Sequence, residues 1–297
     1  MAAGDHTVSA TFVELFENEV KQAYQEKGGK LRATVRTKLG VEGSKVHFPK
    51  YGKGAACERG AAASDVVTMG TSTSSVELVL KDMIAAEFSD FFDEKKLNFN
   101  DRAELAKVIA MALGRCDDQF IIDAASNSST TNTIPANYDD GSNDTALTLK
   151  KVKRAKRFLD NIGVPMEDRY FVYTPGGLDA LLDDKNMTSI DYNNVKPLVD
   201  GSVDTYLGFK FVMISDLTVT NGKGETVKTG LPGVGTQARK YYAYHQSALG
   251  YANGVDMVSS ADWVATKQSY LVTGKLSAQA KAIDAEGIVE INVKETA

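Results

Sequence analysis

Histidine is scarce. The 297-residue chain holds three, His6, His47 and His245, and no two sit at metal-ligand spacing. No HExxH occurs, so a helical zinc site of that kind is excluded. Cysteine is scarcer still: Cys57 and Cys116 lie far apart, in segments of different character. That usage suits free thiols in a reducing compartment. A chain of this size buries roughly 75% of the surface its unfolded form exposes, so it needs neither disulfide nor metal to fold. No GxSxG elbow is present, and the serines within 126–130 read as loop filler, which argues against nucleophilic acyl chemistry. No Walker sequence occurs. "GVGTQA", from Gly233, matches a loose dinucleotide fingerprint, but Pro232 precedes it and aromatic strand residues follow, so it reads as a surface loop. There is no apolar run of about 18 residues to span a membrane. The first residues, "MAAGDHTVSATFVELFENEV", lack a basic stretch followed by an apolar core, so no secretory signal is expected. The glycosylation-type triplets at Asn127, Asn143 and Asn186 therefore carry little weight.

What remains is an ordinary globular composition, 43% hydrophobic and 25% charged, of a length that suits two domains or one elaborated one. A net charge of -5 argues against a surface that grips nucleic acid all round, though not against one basic face.

The longest patterned segment is "NDRAELAKVIAMALGRCDDQFIIDAAS", residues 100–126. Leu105, Val108, Ile109, Ala112, Leu113, Cys116, Phe120 and Ile121 recur at gaps of three and four, which predicts one stripe of a long helix. Asp101 with Glu104 reads as its capping box. Cys116, on that stripe, reads as a small buried filler. Residues 9–27 predict a shorter amphipathic helix with Phe12, Leu15, Phe16, Val20 and Tyr24 as its stripe, ended by Gly28-Gly29. Residues 46–80 are poor in large apolar side chains in the middle, while the flanks alternate (Val46 and Phe48; Val76, Leu78 and Leu80). This predicts a two-stranded excursion with so little core of its own that it lies against something else. Cys57 lies in this ribbon, where exposure and an inter-subunit disulfide are both open.

Residues 127–145 are polar and turn-rich, a loop and a candidate domain boundary. A second helix is predicted over 148–162, capped by Thr148, with Leu149, Val152, Leu159 and Ile162 inward and Gly163 closing it. A buried strand at 169–175, a short helix, a strand at 208–217, a Gly-rich loop at 221–237, a strand and turn at 240–254 and further strands complete the chain. The class is mixed α+β, without steady βαβ alternation or internal repeat.

Two charge features remain. The pairs Asp117-Asp118, Asp139-Asp140 and Asp183-Asp184 read as solvated faces or turn residues rather than cation ligands, since neighbours on a helix point about 100° apart. The cluster Lys150, Lys151, Lys153, Arg154, Lys156 and Arg157 wraps one helix. It reads as a solvated face, or as a patch toward a polyanion or an acidic neighbouring subunit.

This order of parts resembles the major capsid proteins of tailed bacteriophages, with the Hong Kong ninety-seven-type capsid fold, over nearly the whole chain. "VHFPKYGKG…SSVELVLKD" looks like the family's E loop, and "NDRAELAKVIAMALGRCDDQFIIDA" like its spine helix. "RYFVYTPGGLDALLDD" and "GFKFVMISDL" are similar to the axial-domain core, and "SALGYANG" with "GKLSAQAKAIDAEGIVEI" to the return through the peripheral sheet. The resemblance implies an N-terminal arm (1–44), an E loop (45–80), a peripheral domain with the spine helix (81–145), an axial domain (146–250) and a return to the peripheral sheet (251–297). It implies a structural subunit without catalytic residue, metal or cofactor. Such subunits form hexamers and pentamers of an icosahedral shell around double-stranded DNA, in a virion capsid assembled in the host cytoplasm. Expected partners are many copies of the chain and packaged DNA held non-specifically, with no membrane; separate scaffolding, portal and decoration proteins are further candidates, and assembly without a scaffolding protein stays open. With the E loop starting inside the first 50 residues, a scaffolding segment within the chain is not expected. Phe48, Lys50, Tyr51, Lys53, Glu58, Arg59, Val66 and Met69 are the expected inter-subunit contacts. The rivals are an encapsulin-like shell around cargo enzymes, told apart by particle contents, and a hydrolase, told apart by a persistent small species in light scattering.

Overall fold

A computed structural model describes residues 27–62, 65–96, 100–141, 143–183, 205–233 and 239–295. The helix expected over 9–27 therefore lies almost wholly outside the described residues, as do Asp184, Asn186 and most of "GVGTQA".

The chain begins with a 3-10 turn, Arg32–Thr34, and a short strand β1, Arg36–Lys38. The ribbon follows as β2, Lys45–Tyr51, and β3, Thr73–Val79. Next come β4, Lys81–Asp90, a one-turn helix α1, Phe91–Lys96, and the long helix α2, Asp101–Ser126. After β5, Thr133–Ile134, the second helix α3 runs Leu149–Ile162. Then come β6 (Arg169–Tyr173), α4 (Pro175–Leu182), β7 (Thr205–Tyr206), β8 (Phe209–Met213), β9 (Leu217–Thr220) and β10 (Thr226–Thr229). The last strands are β11 (Arg239–His245), β12 (Leu249–Val264), β13 (Ser269–Ala282) and β14 (Ile288–Val293).

Two sheets organise these elements. A four-stranded sheet has the order β1-β12-β13-β4, and a six-stranded sheet the order β5-β14-β11-β6-β8-β7. The six-stranded sheet is the more deeply buried. Its central strand β11 reads Arg-Lys-Tyr-Tyr-Ala-Tyr-His and is buried at five of seven positions. A phenol buried in this way needs a partner for its hydroxyl. Tyr241 meets Thr174 Oγ1 at 2.6 Å and Tyr244 meets Thr34 Oγ1 at 2.7 Å. Helix α3 packs Leu149, Val152, Ala155 and Leu159 inward. Thr148 accepts from the Lys151 N–H at its start and Gly163 ends it in the left-handed conformation, as the sequence predicts.

Helix α2 lies across the four-stranded sheet and at 1.5 Å per residue runs about 39 Å. Gly274, in the middle of β13, lets it come close: a Cβ there would fall 2.4 Å from Ile109 Cγ2 and 2.8 Å from Leu113 Cδ1. Of the expected stripe, Ile109, Leu113, Phe120 and Ile121 are buried, Leu105, Ala112 and Cys116 half-buried, and Val108 exposed. Burial of Cys116 pushes its thiol up to about 11, as suits an inert filler.

Two details of α2 correct the expectation. The cap is Asn100, whose side chain accepts from the Ala103 N–H; Asp101 sits inside the first turn and accepts instead from Ser89 Oγ at 2.6 Å. Asp117 and Asp118 are not solvated but 3% and 4% exposed. Asp118 accepts the Leu31 N–H at 2.8 Å and the Lys30 N–H at 3.2 Å, and Asp117 accepts from the Tyr251 hydroxyl at 2.6 Å. Their donors lie 87 to 134 positions away, which no local spacing shows.

The ribbon is antiparallel, with Val46 opposite Leu78 and Phe48 opposite Val76. Its root has a small core on its own chain: Val46, Phe48 and Leu78 pack with Ala252 and Ile283. Only the part beyond Tyr51 and Thr73 lacks a core. The stretch 127–145, expected as a loop, contributes β5, which runs parallel to β14 and buries Ile134. The final segment divides. β12 and β13 form a long bulged hairpin in the four-stranded sheet, whereas β14 crosses into the six-stranded one.

Candidate functional site

Two features that face solvent without an obvious internal purpose are the ribbon tip and one side of α3. At the tip, Tyr51, Val66 and Met69 are exposed, Val66 almost fully at 92%, and Val67 lies open beside them. Glu58, Arg59 and Cys57 share that exposed stretch. An isolated two-stranded ribbon with apolar side chains in water is marginal, which makes this tip the candidate contact surface.

The charged side chains nearer the root are engaged within the chain. Lys50 pairs with Asp284 at 2.9 Å and Lys53 with Glu286 at 2.6 Å. The Glu286 carboxylate raises the Lys53 ammonium above its usual range through their hydrogen bond. Phe48 is 3% exposed, with the Arg36 guanidinium 5.8 Å above its ring. Of the eight residues expected at the contact, Phe48 is thus occupied in its own root core, Lys50 and Lys53 are tied to the strand turn at 284–286, and Tyr51, Glu58, Arg59, Val66 and Met69 point outward.

The basic cluster on α3 also divides. Lys150, Lys153 and Arg157 are exposed, at spacings of three and four that put them on one face, with Arg154 beside them. Arg154 lies over the rings of Phe158, at 4.5 Å, and Tyr138, at 5.7 Å. Lys156 is half-buried and reaches Asp160 at 3.9 Å.

Lys151 corrects the expectation of a continuous charged surface. It points to the opposite side, 0% exposed, and donates to the carbonyls of Ala136 (2.8 Å), Thr145 (2.7 Å) and Asn292 (3.2 Å). Burial pulls its ammonium down to about 8, partly opposed by Asp139 and Asp144. It ties the 136–145 segment and β14 to α3 and has no reach to a polyanion.

A surface that the sequence analysis passed over lies at the far end of the four-stranded sheet. Phe91 stands edge-on to Phe92 (5.6 Å between centroids) and to Trp263 (6.0 Å), and Trp263 meets Tyr270 at 4.9 Å. Lys267 Nζ sits 4.0 Å above the Phe88 ring. The run "EFSDFFDE" was the local signal, but its partner Trp263 comes from a distant hairpin. Among the described residues no three His, Cys, Asp or Glu side chains gather as metal ligands would, and no helix is long and apolar enough to cross a membrane. His245 Nδ1 meets Ser247 Oγ at 2.7 Å, a local turn contact.

Comparison with solved structures finds the same arrangement in viral shells. A Mycobacterium phage Che8 structure matches with a TM-score of 0.68 at 16% identity, over 97% of this chain and 98% of that one. The capsid structure of the cyanophage P-SCSP1u matches with a TM-score of 0.71 at 14% identity, over 96% and 94%. A virus-like particle from Pyrococcus furiosus matches less well, with a TM-score of 0.56 at 10% identity, over 89% and 92%. At such identities these likenesses establish the fold, which is of the Hong Kong ninety-seven type. No curated protein matches the sequence. The model of the phage capsid protein family matches residues 8–295. With that match spanning both sheets, the ribbon and the long helix, the chain belongs to the phage capsid protein family and is a major capsid subunit.

Proposed function

We propose that the subunit joins head-to-tail with copies of itself into rings of five and six that tile an icosahedral shell around double-stranded DNA. Heterologous contacts of this kind close when the rotation between neighbours is right. The observation that carries the reading is the ribbon tip, where Val66, Val67 and Met69 stand in solvent on a strand pair with no core beyond Tyr51. Laid across a neighbour, the tip removes this apolar area from water at roughly 25 cal/mol per Å². Each subunit interface buries well above ~1,000 Å². In this reading the four-stranded sheet with α2 is the peripheral domain, the six-stranded sheet with α3 and α4 the axial domain, and residues 45–80 the E loop. The subunit works by packing and carries no reaction.

The exposed face Lys150, Lys153 and Arg157 suits non-specific, salt-sensitive contact with packaged DNA or with an acidic neighbour. Scaffolding, portal and decoration proteins are further candidate partners, and assembly takes place in the host cytoplasm before the subunit resides in the virion. Electron microscopy of the purified, expressed protein tests the reading: closed shells of one size are expected, whereas a persistent ~32 kDa species under assembly conditions, with or without a scaffolding partner, rejects it. Particle contents separate the encapsulin-like alternative, since enclosed enzyme in place of DNA favours that one.

A further inference from the structure

A groove of 380 Å³ lies between β4 and the β9–β10 hairpin, with α2 as its floor. The hairpin is a two-stranded sheet of its own, in which Val219 stands directly opposite Val227. Met83 and Ile84 of β4 form the facing wall, and Leu113 and Phe120 of α2 lie beneath. Met83, Ile84, Val219 and Val227 are all exposed, Ile84 at 68%. Apolar side chains gathered in this way mark an interaction surface. The hairpin is fastened at its base, where the Gly230 N–H donates to Gln119 Oε1 of α2 at 2.8 Å. β4 is an outer strand, paired with β13 alone among the described residues. Its other edge therefore offers backbone groups to a further extended chain.

The subunit's own ribbon is directed away from this groove. Its root lies beside the end of β13, where Lys281 Nζ donates to the Glu77 carbonyl at 2.9 Å. From there the ribbon advances past Asp284, paired with Lys50, to Glu286, paired with Lys53. The groove lies in the other direction, beside Gly274 and Leu276, the partners of Ala85 and Met83. Gly274 and Lys281 are about 23 Å apart along β13, at 3.3 Å per residue.

The tip offers chemistry that matches the groove. Val66, Val67 and Met69 are exposed there. The outermost backbone bond of the ribbon ladder among the described residues runs from the Gly52 N–H to the Ser72 carbonyl, at 2.7 Å. Beyond it the backbone is free to pair with an edge strand. The charges correspond as well: Lys228 and Asp123 stand exposed at the groove, and Glu58 and Arg59 stand exposed on the tip, so each sign has its opposite.

We propose that the β9–β10 hairpin and the free edge of β4 form the receiving site for the ribbon tip of an adjacent copy of this chain. The inference rests on the head-to-tail assembly proposed above and adds the place where the tip lands. Tip and groove are different surfaces of one subunit, so the contact is heterologous and repeats around a ring. The hairpin is then an assembly element, and its two valines are kept in solvent until a neighbour covers them.

The test uses assembled shells of a Cys116→Ala parent that keeps Cys57 on the tip. One variant adds Val227→Cys and a second adds Ile84→Cys. A control adds Val258→Cys, equally open at 54% exposure but on β12, outside the groove. After oxidation, linkage between chains is read on denaturing gels, and for either groove cysteine it should exceed the control roughly tenfold. Wild-type shells give a second reading without substitution: carbodiimide coupling of Lys228 to Glu58 of another chain, identified by mass spectrometry. Shells in which the groove cysteines link no more than the control, or only within one chain, and in which Lys228 does not couple to Glu58, overturn the inference and leave the assembly reading standing. A parent and wild type that form no shells overturn both.

Discussion

The Tyr251 hydroxyl donates to Asp117 Oδ1 across 2.6 Å, joining β12 to the buried side of α2 over 134 positions of sequence. The Arg32 guanidinium stands 5.6 Å over the same tyrosine ring and pairs with Asp256 at 2.8 Å. Burial raises the Asp117 carboxyl above the usual carboxylate range, and the hydrogen bond from Tyr251 and the charge of Arg32 oppose that rise.

The sign of the pH dependence follows. A carboxyl whose folded pKa is raised binds its proton more readily in the native state than in the unfolded one. Its stabilising share is complete below the unfolded value and is lost as pH rises through the folded value. The stability of wild type relative to Asp117→Asn should therefore fall as pH rises out of the acid range, in urea unfolding of the unassembled subunit. Tyr251→Phe, which strips a partner from a buried carboxylate, should cost about 1.5–3 kcal/mol at neutral pH. A pH-independent difference for Asp117→Asn would contradict this reading of the buried acid.

Lys151 gives the opposite window. Its ammonium is pulled from 10.5 down to about 8, so between those values the unfolded chain holds a proton that the native chain has released. Stability then rises with pH across that interval. Relative to Lys151→Met, wild type should gain stability between pH 8 and 10.5, read as unfolding midpoints at several pH values. At pH 7 the same substitution strands three buried carbonyls and should cost about 2–4 kcal/mol.

The division of the basic helix predicts different outcomes on DNA. Replacing Lys150, Lys153 and Arg157 by glutamine should leave stability within about 0.5 kcal/mol. Should this face bear on the genome, the salt slope of double-stranded DNA binding drops by up to about 3. Lys151→Met should leave that slope unchanged. Titration of binding against salt concentration distinguishes the two.

Gly274 holds α2 against its sheet. Gly274→Ala should force Ile109 or Leu113 aside and cost about 1–3 kcal/mol, and Gly274→Val more. Thermal unfolding of the subunit measures this, and an unchanged midpoint would mean that the helix lifts without loss.

Charging the ribbon tip separates folding from assembly. Val66→Asp with Met69→Asp changes exposed side chains outside the buried cores, Met69 lying against Gly54 across the ribbon, so unfolding should shift by less than about 0.5 kcal/mol. Shell yield by sedimentation should fall at least tenfold. Normal shells from this variant would remove the tip from the inter-subunit contact.

Much was legible in the sequence because it rests on short-range rules. The 3.6-residue period gave α2 and α3, the Thr148 and Gly163 caps gave the ends of α3, and alternation gave the β2–β3 ribbon, though not that Phe48, expected against a neighbour, packs in the ribbon's own root. Order and spacing of these parts carried the resemblance to a shell subunit. Side chains whose meaning depends on distant partners were not legible. Asp117, Asp118 and Lys151 look solvated by local pattern, yet each is buried, because a tyrosine hydroxyl and two backbone N–H groups reach the aspartates from far along the chain, and the distant Asn292 carbonyl joins the nearer ones of Ala136 and Thr145 around Lys151. Period alone cannot tell a charge facing water from one facing an equally polar pocket. The departure of β14 into the six-stranded sheet and the meeting of Phe91 with Trp263 belong to the same kind: strand partners and ring contacts are chosen by which surfaces the folded chain leaves open, and only the tertiary structure fixes those.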